Sequence, residues 1–164
     1  MKFSEKWLRT WIDPNIGTDE LCDQLTGAGL EADSVEPVAD EFTGVVIGEI
    51  LELHAHPNAD RLSVCTVFDG SEEFSVVCGA PNARVGLKTA FARVGSELSN
   101  GLEIQPTKLR GVQSDGMLCS AKELGISDDH DGIMELSNTL SPGLELREAL
   151  DLEEVSIDLD LTPN

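Results

Sequence analysis

Several residue types and patterns on which common functional sites depend are missing from this sequence. It has no tyrosine and only two tryptophans in 164 residues, so the aromatic platforms on which unpaired bases stack are scarce. No apolar run reaches about 18 residues, which excludes a membrane-spanning helix, and the start of the sequence lacks the apolar core of a secretion signal. The cysteines at positions 22, 65, 78 and 119 include no Cys-x-x-Cys pair, so we expect reduced cytoplasmic thiols rather than zinc ligands or disulfides.

Basic residues are also few. The chain has 11 lysines and arginines against 31 aspartates and glutamates, for a formal net charge of −20. This balance argues against a general polyanion binder, because phosphate contacts need clustered cations. Between residues 56 and 122, however, seven basic residues match seven acidic residues, and the remaining four bases and 24 acids carry the whole net charge. We therefore expect one modest positive face within an acidic chain, and weak RNA binding in isolation.

The pattern of apolar residues divides the chain into three parts. Residues 1–38 predict two short helices and a strand. Residues 39–148 predict five main strands with one short helical turn, as in an oligonucleotide/oligosaccharide-binding (OB) barrel. Residues 149–164 contain a strand, 153–161, whose apolar residues alternate strictly and which we expect to pair with residues 30–36. The predicted fold is mainly β with α+β flanks: a five-stranded OB barrel inserted into a small α/β domain that these 164 residues contain only in part.

An apolar stripe marks the start of the chain. Its members, at helical spacings of three and four, are Phe3, Trp7, Leu8 and Trp11. We expect this stripe to pack in the core, as large apolar side chains usually do. A surface that docks a partner is the alternative for the two tryptophans.

Three similar segments lie in the middle of the chain: HPNADRL (56–62), VVCGAPNARVG (76–86) and KLRGVQSDGMLCS (108–120). Each joins a short β-prone run to a turn of proline, asparagine, aspartate or glycine, and each turn carries or adjoins arginine or lysine. Cations at these positions place positive charge on the loops of the domain rather than in its core. The pattern indicates a binding surface rather than a catalytic pocket.

These three motifs resemble the tRNA-binding barrel that several aminoacyl-tRNA synthetases carry and that also occurs in small free-standing tRNA-binding proteins. The flanking segments, namely MKFSEKWLRTWI, GLEADSVEPV, ELGISDDHDGIMEL and LTPN, are similar to the N-terminal region of the bacterial phenylalanyl-tRNA synthetase β-subunit family. This resemblance implies the N-terminal part of a longer subunit of a cytoplasmic ligase, assembled with an α subunit as α2β2, that attaches phenylalanine to its tRNA. It implies ATP and Mg2+ for the whole enzyme, with the chemistry in the α subunit, and no cofactor within these 164 residues.

Ten residues of the predicted barrel are candidates for contacts with the phosphates, 2′-hydroxyls or bases of tRNA. They are Asn58, Arg61, Asn82, Arg84, Lys88, Phe91, Arg93, Lys108, Arg110 and Ser114. Phe91 would offer a stacking surface beside Arg93 if both faced solvent, although a packed phenylalanine is the favoured alternative. For Asn58 and Asn82, bonds from the side chain to the backbone of a turn are favoured over RNA contacts. Because aromatic platforms are scarce, recognition of folded RNA by shape and backbone fits better than readout of a single strand.

Neither a metal site nor a catalytic group is predicted. His54 and His56 lie two residues apart without a third ligand at a suitable spacing, so a turn-forming or solvent-facing role is favoured. The segment 127–138 resembles a calcium-binding loop, but Ser127 and Asn138 stand where carboxylates are expected. No spacing suggests a nucleophile paired with a base.

Two other functions stay open. In the first, the domain is a structural module that packs against other parts of its subunit and binds little RNA. The acidic composition favours this alternative. A free-standing tRNA-binding protein is the second alternative, and the flanking segments count against it. For Arg84, Lys108 and Arg110, solvated surface charge fits the pattern as well as RNA binding does.

Overall fold

Two compact units make up the chain in the computed structural model, which describes residues 1–161. The terminal unit joins residues 1–38 to the C-terminal segment from Asp151 onward, and the central unit runs from Ala39 to Leu150. The end of the motif LTPN, at residues 162–164, lies outside the described residues. Among the described residues, no helix is both long enough and apolar enough to cross a membrane.

The terminal unit is a three-stranded antiparallel sheet with two short helices. Its elements are β1 (Lys2–Ser4), α1 (Glu5–Arg9), α2 (Thr18–Gly27), β2 (Glu31–Pro37) and the C-terminal strand β10 (Val155–Asp160). Strand β10 lies between β1 and β2, with Ile157 opposite both Phe3 and Val35. The pairing predicted between residues 153–161 and 30–36 is therefore confirmed, because strict alternation gives β10 one apolar face to bury.

The prediction that Trp7 and Trp11 pack in the core is wrong. Trp7 is 56% exposed and Trp11 74% exposed, and their rings contact each other edge-to-face at a centroid distance of 6.3 Å. Helix α1 ends at Arg9, so the helical spacing that would align the four apolar residues does not persist to Trp11. The other members of the stripe, Phe3 and Leu8, do pack against the core of this unit.

The central unit is built on a five-stranded antiparallel sheet. Its strands, in the order in which they lie side by side, are β5 (Glu73–Cys78), β4 (Ser63–Phe68), β3 (Thr43–Ala55), β6 (Lys88–Glu97) and β9 (Met117–Cys119). A separate hairpin joins β7 (Thr107–Leu109) to β8 (Val112–Ser114), and a one-turn helix, α3, spans Leu146–Ala149. The prediction of a mainly β fold with a five-stranded sheet is confirmed.

Strand β3 is the longest strand, and it packs closely on the side chains of its neighbours. Gly48 lies in its middle, where an added Cβ atom would be 2.8 Å from both the Cβ of Phe91 and the Cγ1 of Val67. Only glycine allows this approach, so the sheet can curl around its core. The buried core of this unit includes Ile50, Val67, Val76, Phe91 and Leu118.

Hydrogen bonds connect the two edges of this sheet. The backbone N–H of Asp115 donates to the oxygen of Ser75 at 2.8 Å, and the Ser75 hydroxyl donates to the oxygen of Gln113 at 3.2 Å. The N–H of Val77 donates to the hydroxyl of Ser114 at 3.0 Å. Strand β5, at one edge, is thereby tied to the segment that leads into β9, at the other edge.

Candidate nucleic-acid interface

Three of the candidate cations lie on two neighbouring segments of the central unit, the loop 56–62 and the hairpin of β7 and β8. Arg61 belongs to the loop 56–62 between β3 and β4, whereas Lys108 lies in β7 and Arg110 in the turn between β7 and β8. All three residues are exposed, and within residues 1–161 none of them forms an ion pair with a carboxylate. Such cations keep their charge available to an incoming phosphate.

His56 holds these two segments together. Its side chain is buried, and Nε2 lies 2.8 Å from the main-chain oxygen of Leu109, at the end of β7. The other ring nitrogen, Nδ1, accepts a hydrogen bond of 3.0 Å from the backbone N–H of Asn58. Since Nδ1 accepts, Nε2 carries the proton and donates to Leu109, so both nitrogens of the neutral ring are used. Of the two roles predicted for His56, the structure supports the turn-forming role and excludes the solvent-facing one.

Asn58 makes the second connection between the segments. Its side-chain Nδ2 donates to the main-chain oxygen of Arg110 at 3.0 Å. Asn58 therefore bonds to backbone, as the favoured alternative predicted, but its partner lies 52 residues away rather than in its own turn. The loop that carries Arg61 and the turn that carries Arg110 are thus joined by two side chains, and their separation is set before a ligand binds.

Two further candidate cations are already engaged. Arg84 forms a two-pronged ion pair with Glu135, with N–O distances of 2.8 and 3.3 Å. This hydrogen-bonded pair raises the pKa of Arg84 and lowers the pKa of Glu135. The ammonium group of Lys88 donates to the main-chain oxygens of Asn138 and Leu140 at 2.8 and 2.6 Å. Both cations hold the same later segment of the chain, so a structural role accounts for each.

Asn82 and Ser114 form hydrogen bonds within the fold: Asn82 bonds to backbone, as the favoured alternative predicted, whereas the assignment of Ser114 as an RNA contact is wrong. The amide of Asn82 both donates to the oxygen of Ile133, at 2.8 Å, and accepts from its N–H, at 3.0 Å. Ser114 is 4% exposed, and its hydroxyl accepts from the N–H of Val77 and donates to the oxygen of Gly116 at 3.1 Å. Both side chains hydrogen-bond inside the fold, and Ser114 is in addition too buried to contact a ligand.

Phe91 is packed, as the favoured alternative predicted, and its candidate role as a surface for stacking bases is wrong. It is fully buried, and its ring packs against the ring of Phe74 with centroids 5.5 Å apart. The candidate cation on the same strand, Arg93, is paired at 2.6 Å with the buried carboxylate of Asp69. The ring of Phe91 therefore points into the core, where a base cannot reach it.

Asp69 is the buried partner in that pair. Burial alone would raise the pKa of its carboxyl, but hydrogen bonds from the N–H groups of Glu72 and Ser71, the Ser71 hydroxyl and the charge of Arg93 together lower it. Asp69 is therefore ionised inside the fold, and it closes the turn between β4 and β5. The pair Asp69–Arg93 serves the structure rather than a ligand.

The hairpin also contributes to the lining of a cavity of about 810 Å3. The lining is largely apolar, with Leu109 and Met117 among its members, and it includes the thiol of Cys78. A hydrogen bond from the thiol of Cys65 lowers the pKa of Cys78, whereas burial raises the pKa of Cys119 to about 12. Within residues 1–161, no group of three or more histidine, cysteine, aspartate or glutamate side chains is arranged to hold a metal ion.

One family model matches most of the central unit. The model of the family described as "Putative tRNA binding domain" matches residues 45–145. The match covers all five strands of the main sheet apart from the first two residues of β3, together with both segments that carry the exposed cations.

Two similar curated relatives have the same name. The phenylalanine–tRNA ligase beta subunit of Pseudomonas putida is 54% identical over 164 residues, which are 100% of this chain and 21% of that protein. The phenylalanine–tRNA ligase beta subunit of Hahella chejuensis is 51% identical over 164 residues, which are again 100% of this chain and 21% of that protein. This chain spans about a fifth of the length of the curated relatives it matches. A solved structure, "Crystal structure of MetRS related protein from Pyrococcus horikoshii", is 20% identical, with 62% of this chain and 87% of that chain covered and a TM-score of 0.47. The predicted resemblance to the ligase β subunit is confirmed.

Proposed function

We propose, from the premise that this chain belongs to the tRNA-binding domain family, that its central unit binds tRNA through Arg61, Lys108 and Arg110. One observation carries the proposal: three exposed cations that have no carboxylate partner within residues 1–161 lie on two segments that His56 and Asn58 join. The other candidate cations of this unit considered above, by contrast, are held by carboxylates or by main-chain oxygens.

The ligand that suits these side chains is the backbone of folded RNA. Arginine presents a planar fork of N–H groups that matches a phosphate, and lysine presents a compact charge. The only aromatic residue among the ten candidates is buried, so base stacking makes little contribution. Because the whole chain carries a net charge of −20, long-range repulsion weakens the attraction, and we expect a low affinity that salt lowers further.

We further propose that the sheet of the central unit closes as an OB barrel. The hydrogen bonds from β5 to Gln113, Ser114 and Asp115, which tie one edge of the sheet to the other, support closure. In this proposal the barrel, residues 39–148, is inserted into a small split domain formed by residues 1–38 and 149–164.

For the complete protein we propose the role of β subunit in a phenylalanine–tRNA ligase. The name and length of the relatives support this role. The complete enzyme would act in the cytoplasm, pair this subunit with an α subunit as α2β2, and use ATP and Mg2+ to attach phenylalanine to its tRNA. We assign no catalytic residue and no metal ligand to the 161 residues described here.

A structural module that packs against other parts of the complete enzyme is the second candidate. The exposed tryptophans, Trp7 and Trp11, and the net charge of −20 favour it. A free-standing tRNA-binding protein is disfavoured, because the similarity to the long β subunits extends over the whole chain.

Equilibrium titration of the chain with tRNA(Phe) separates the two candidates. At low salt, the RNA-binding proposal predicts a saturable complex that weakens when the salt is raised to about 0.15 M. The absence of a complex at low salt would leave the structural module as the function. A duplex DNA of similar length is the control for binding by charge alone, and we expect it to bind less tightly than the folded RNA.

A further inference from the structure

Arg110 stands in a backbone conformation that arginine rarely adopts. It and Gly111 form the two-residue turn between β7 and β8, with φ angles of 48° and 88°. A turn of this type requires positive φ at both central residues, and asparagine, aspartate or glycine usually fills the first position. Other L-residues are strained there, because Cβ crowds the carbonyl oxygen. Within residues 1–161, the only other non-glycine residue with positive φ is Asp151, an amino acid that tolerates it better.

The fold makes no visible use of the Arg110 side chain. Its main-chain oxygen accepts the bond from Asn58, and any residue would supply that oxygen. The guanidinium is exposed and has neither an ion pair nor a hydrogen bond to another of the 161 described residues. Arg84 and Arg93 in the same unit, by contrast, are each paired with a carboxylate. Among residues 1–161, this strained arginine therefore has no polar contact of its side chain that would offset the strain.

The surroundings of the turn fix the direction in which this side chain leaves the backbone. His56 bonds to the oxygen of Leu109 and Asn58 bonds to the oxygen of Arg110, so two consecutive carbonyl groups at the turn are held from the loop 56–62. A fixed turn reduces the entropy that an exposed arginine loses when it binds. Strain that persists where the surrounding structure determines it is typical of sites that contact ligands.

We propose that Arg110 is the principal phosphate-contact residue of this surface, kept in its turn at the expense of fold stability. The inference rests on the proposed function and deepens it, because it names the chemical group recognised and one dominant contact. The guanidinium donates two N–H groups to the oxygens of one backbone phosphate of a folded RNA. Lys108, on the same hairpin, and Arg61, on the loop 56–62, add further positive charge.

The test replaces Arg110 by the residue that the turn prefers. Arg110→Asn relieves the strain, so we expect the midpoint of thermal unfolding of the central unit to rise by about 2 to 4 °C. The same change removes the phosphate contact, so the affinity for tRNA(Phe) should fall about fivefold, with the logarithmic salt slope smaller by about one. Arg110→Gly is a second variant with the same expectation. Arg110→Lys keeps both charge and strain, and should show the parent midpoint and the parent salt slope.

Each result has a distinct meaning. A more stable Arg110→Asn variant that binds tRNA with the parent affinity and slope overturns the inference, while the proposed function survives through Lys108 and Arg61. An Arg110→Asn variant no more stable than the parent overturns the claim that the arginine is kept against stability. A parent chain that does not bind tRNA at low salt means that the proposed function itself has failed. Lys2→Gln, a loss of the same charge in the terminal unit, should change neither affinity nor slope.

Discussion

Nε2 of His56 lies 2.8 Å from the main-chain oxygen of Leu109, although 53 residues separate the two in the chain. With the bond from Asn58 to Arg110, this contact places a histidine at the centre of the proposed RNA-binding surface without requiring that it touch RNA. It acts as a positioning residue, because it holds the hairpin on which Lys108 and Arg110 lie.

Replacing His56 by alanine should therefore affect both stability and binding. The change removes two partly buried hydrogen bonds and a buried ring, so we expect the free energy of unfolding to fall by about 2 kcal/mol. It should also weaken tRNA binding measurably, although every cation remains. Urea denaturation followed by circular dichroism, and tRNA titration at a temperature where the variant is folded, measure the two effects. His54→Ala is the matched control, since His54 is exposed, and it should behave as the parent. A folded His56→Ala variant with parent affinity would show that the hairpin needs no such support.

The ion pair between buried Asp69 and half-buried Arg93 predicts that the stability of the fold depends on pH in the acid range. The pKa of Asp69 is lowered in the folded state, so its contribution is fully present above the unfolded-state pKa of about 4 and is lost as the pH falls through the folded pKa. Asp69→Asn should lower the free energy of unfolding by about 2 kcal/mol at pH 7. The difference from the parent should shrink as the pH is lowered below about 4. Glu72→Gln, an exposed neighbour, is the control. A difference that stays constant from neutral to acid pH would contradict this assignment.

Cys78 should be the most reactive buried thiol of the central unit. The hydrogen bond from Cys65 lowers its pKa, and its side chain lines the cavity beside the hairpin. Because the thiolate is the nucleophile, alkylation by iodoacetamide should rise with pH around a midpoint below the value of about 8.5 for a free thiol. Cys65→Ala removes the donor and should move that midpoint to higher pH. Peptide mapping by mass spectrometry identifies the modified residue. Modification of Cys119 before Cys78 would contradict the prediction, since burial raises the pKa of Cys119.

Both tryptophans belong to the terminal unit, and both are exposed. The intrinsic fluorescence should therefore have the long-wavelength emission of indole in water and should be quenched efficiently by acrylamide. Trp7→Ala and Trp11→Ala should each change the free energy of unfolding by less than about 1 kcal/mol. Emission at short wavelength would contradict this prediction if it persisted on dilution, which removes burial between molecules. The rings would then be buried within the unit.

How much of the site could be predicted from the sequence depends on how far apart in the chain the contacting residues lie. The strand β10 was predictable because its alternation is local and its partner, β2, has the matching length. The packing of Phe91 was the favoured alternative, but the burial of Ser114 was not predictable, because the face of a strand that points inward depends on how the sheet curls. Arg84 and Arg110 look equivalent in sequence, and only the position of Glu135, 51 residues from Arg84, makes one a structural residue. No local sequence pattern predicts the hydrogen bond between His56 and the main-chain oxygen of Leu109.

The wrong prediction that the tryptophans pack in the core has a different cause. Their spacing is helical, but the stripe starts in β1, crosses the five-residue helix α1 and ends beyond it. Periodicity identifies a buried face only while one element continues.

The central claim is that Lys108 and Arg110 supply the charge that attracts tRNA, and the dependence of binding on salt tests it most directly. Affinity for tRNA(Phe) is measured over a series of salt concentrations for the parent, for Lys108→Ala with Arg110→Ala, and for Lys2→Ala with Lys6→Ala. The two double variants lose the same charge, but Lys2 and Lys6 are paired with Glu36 and Asp151 in the terminal unit. We predict a parent slope that corresponds to about two to four phosphate contacts, a slope lower by about two contacts for the first variant, and the parent slope for the second. A Lys108/Arg110 variant that binds with the parent affinity and slope would contradict the account.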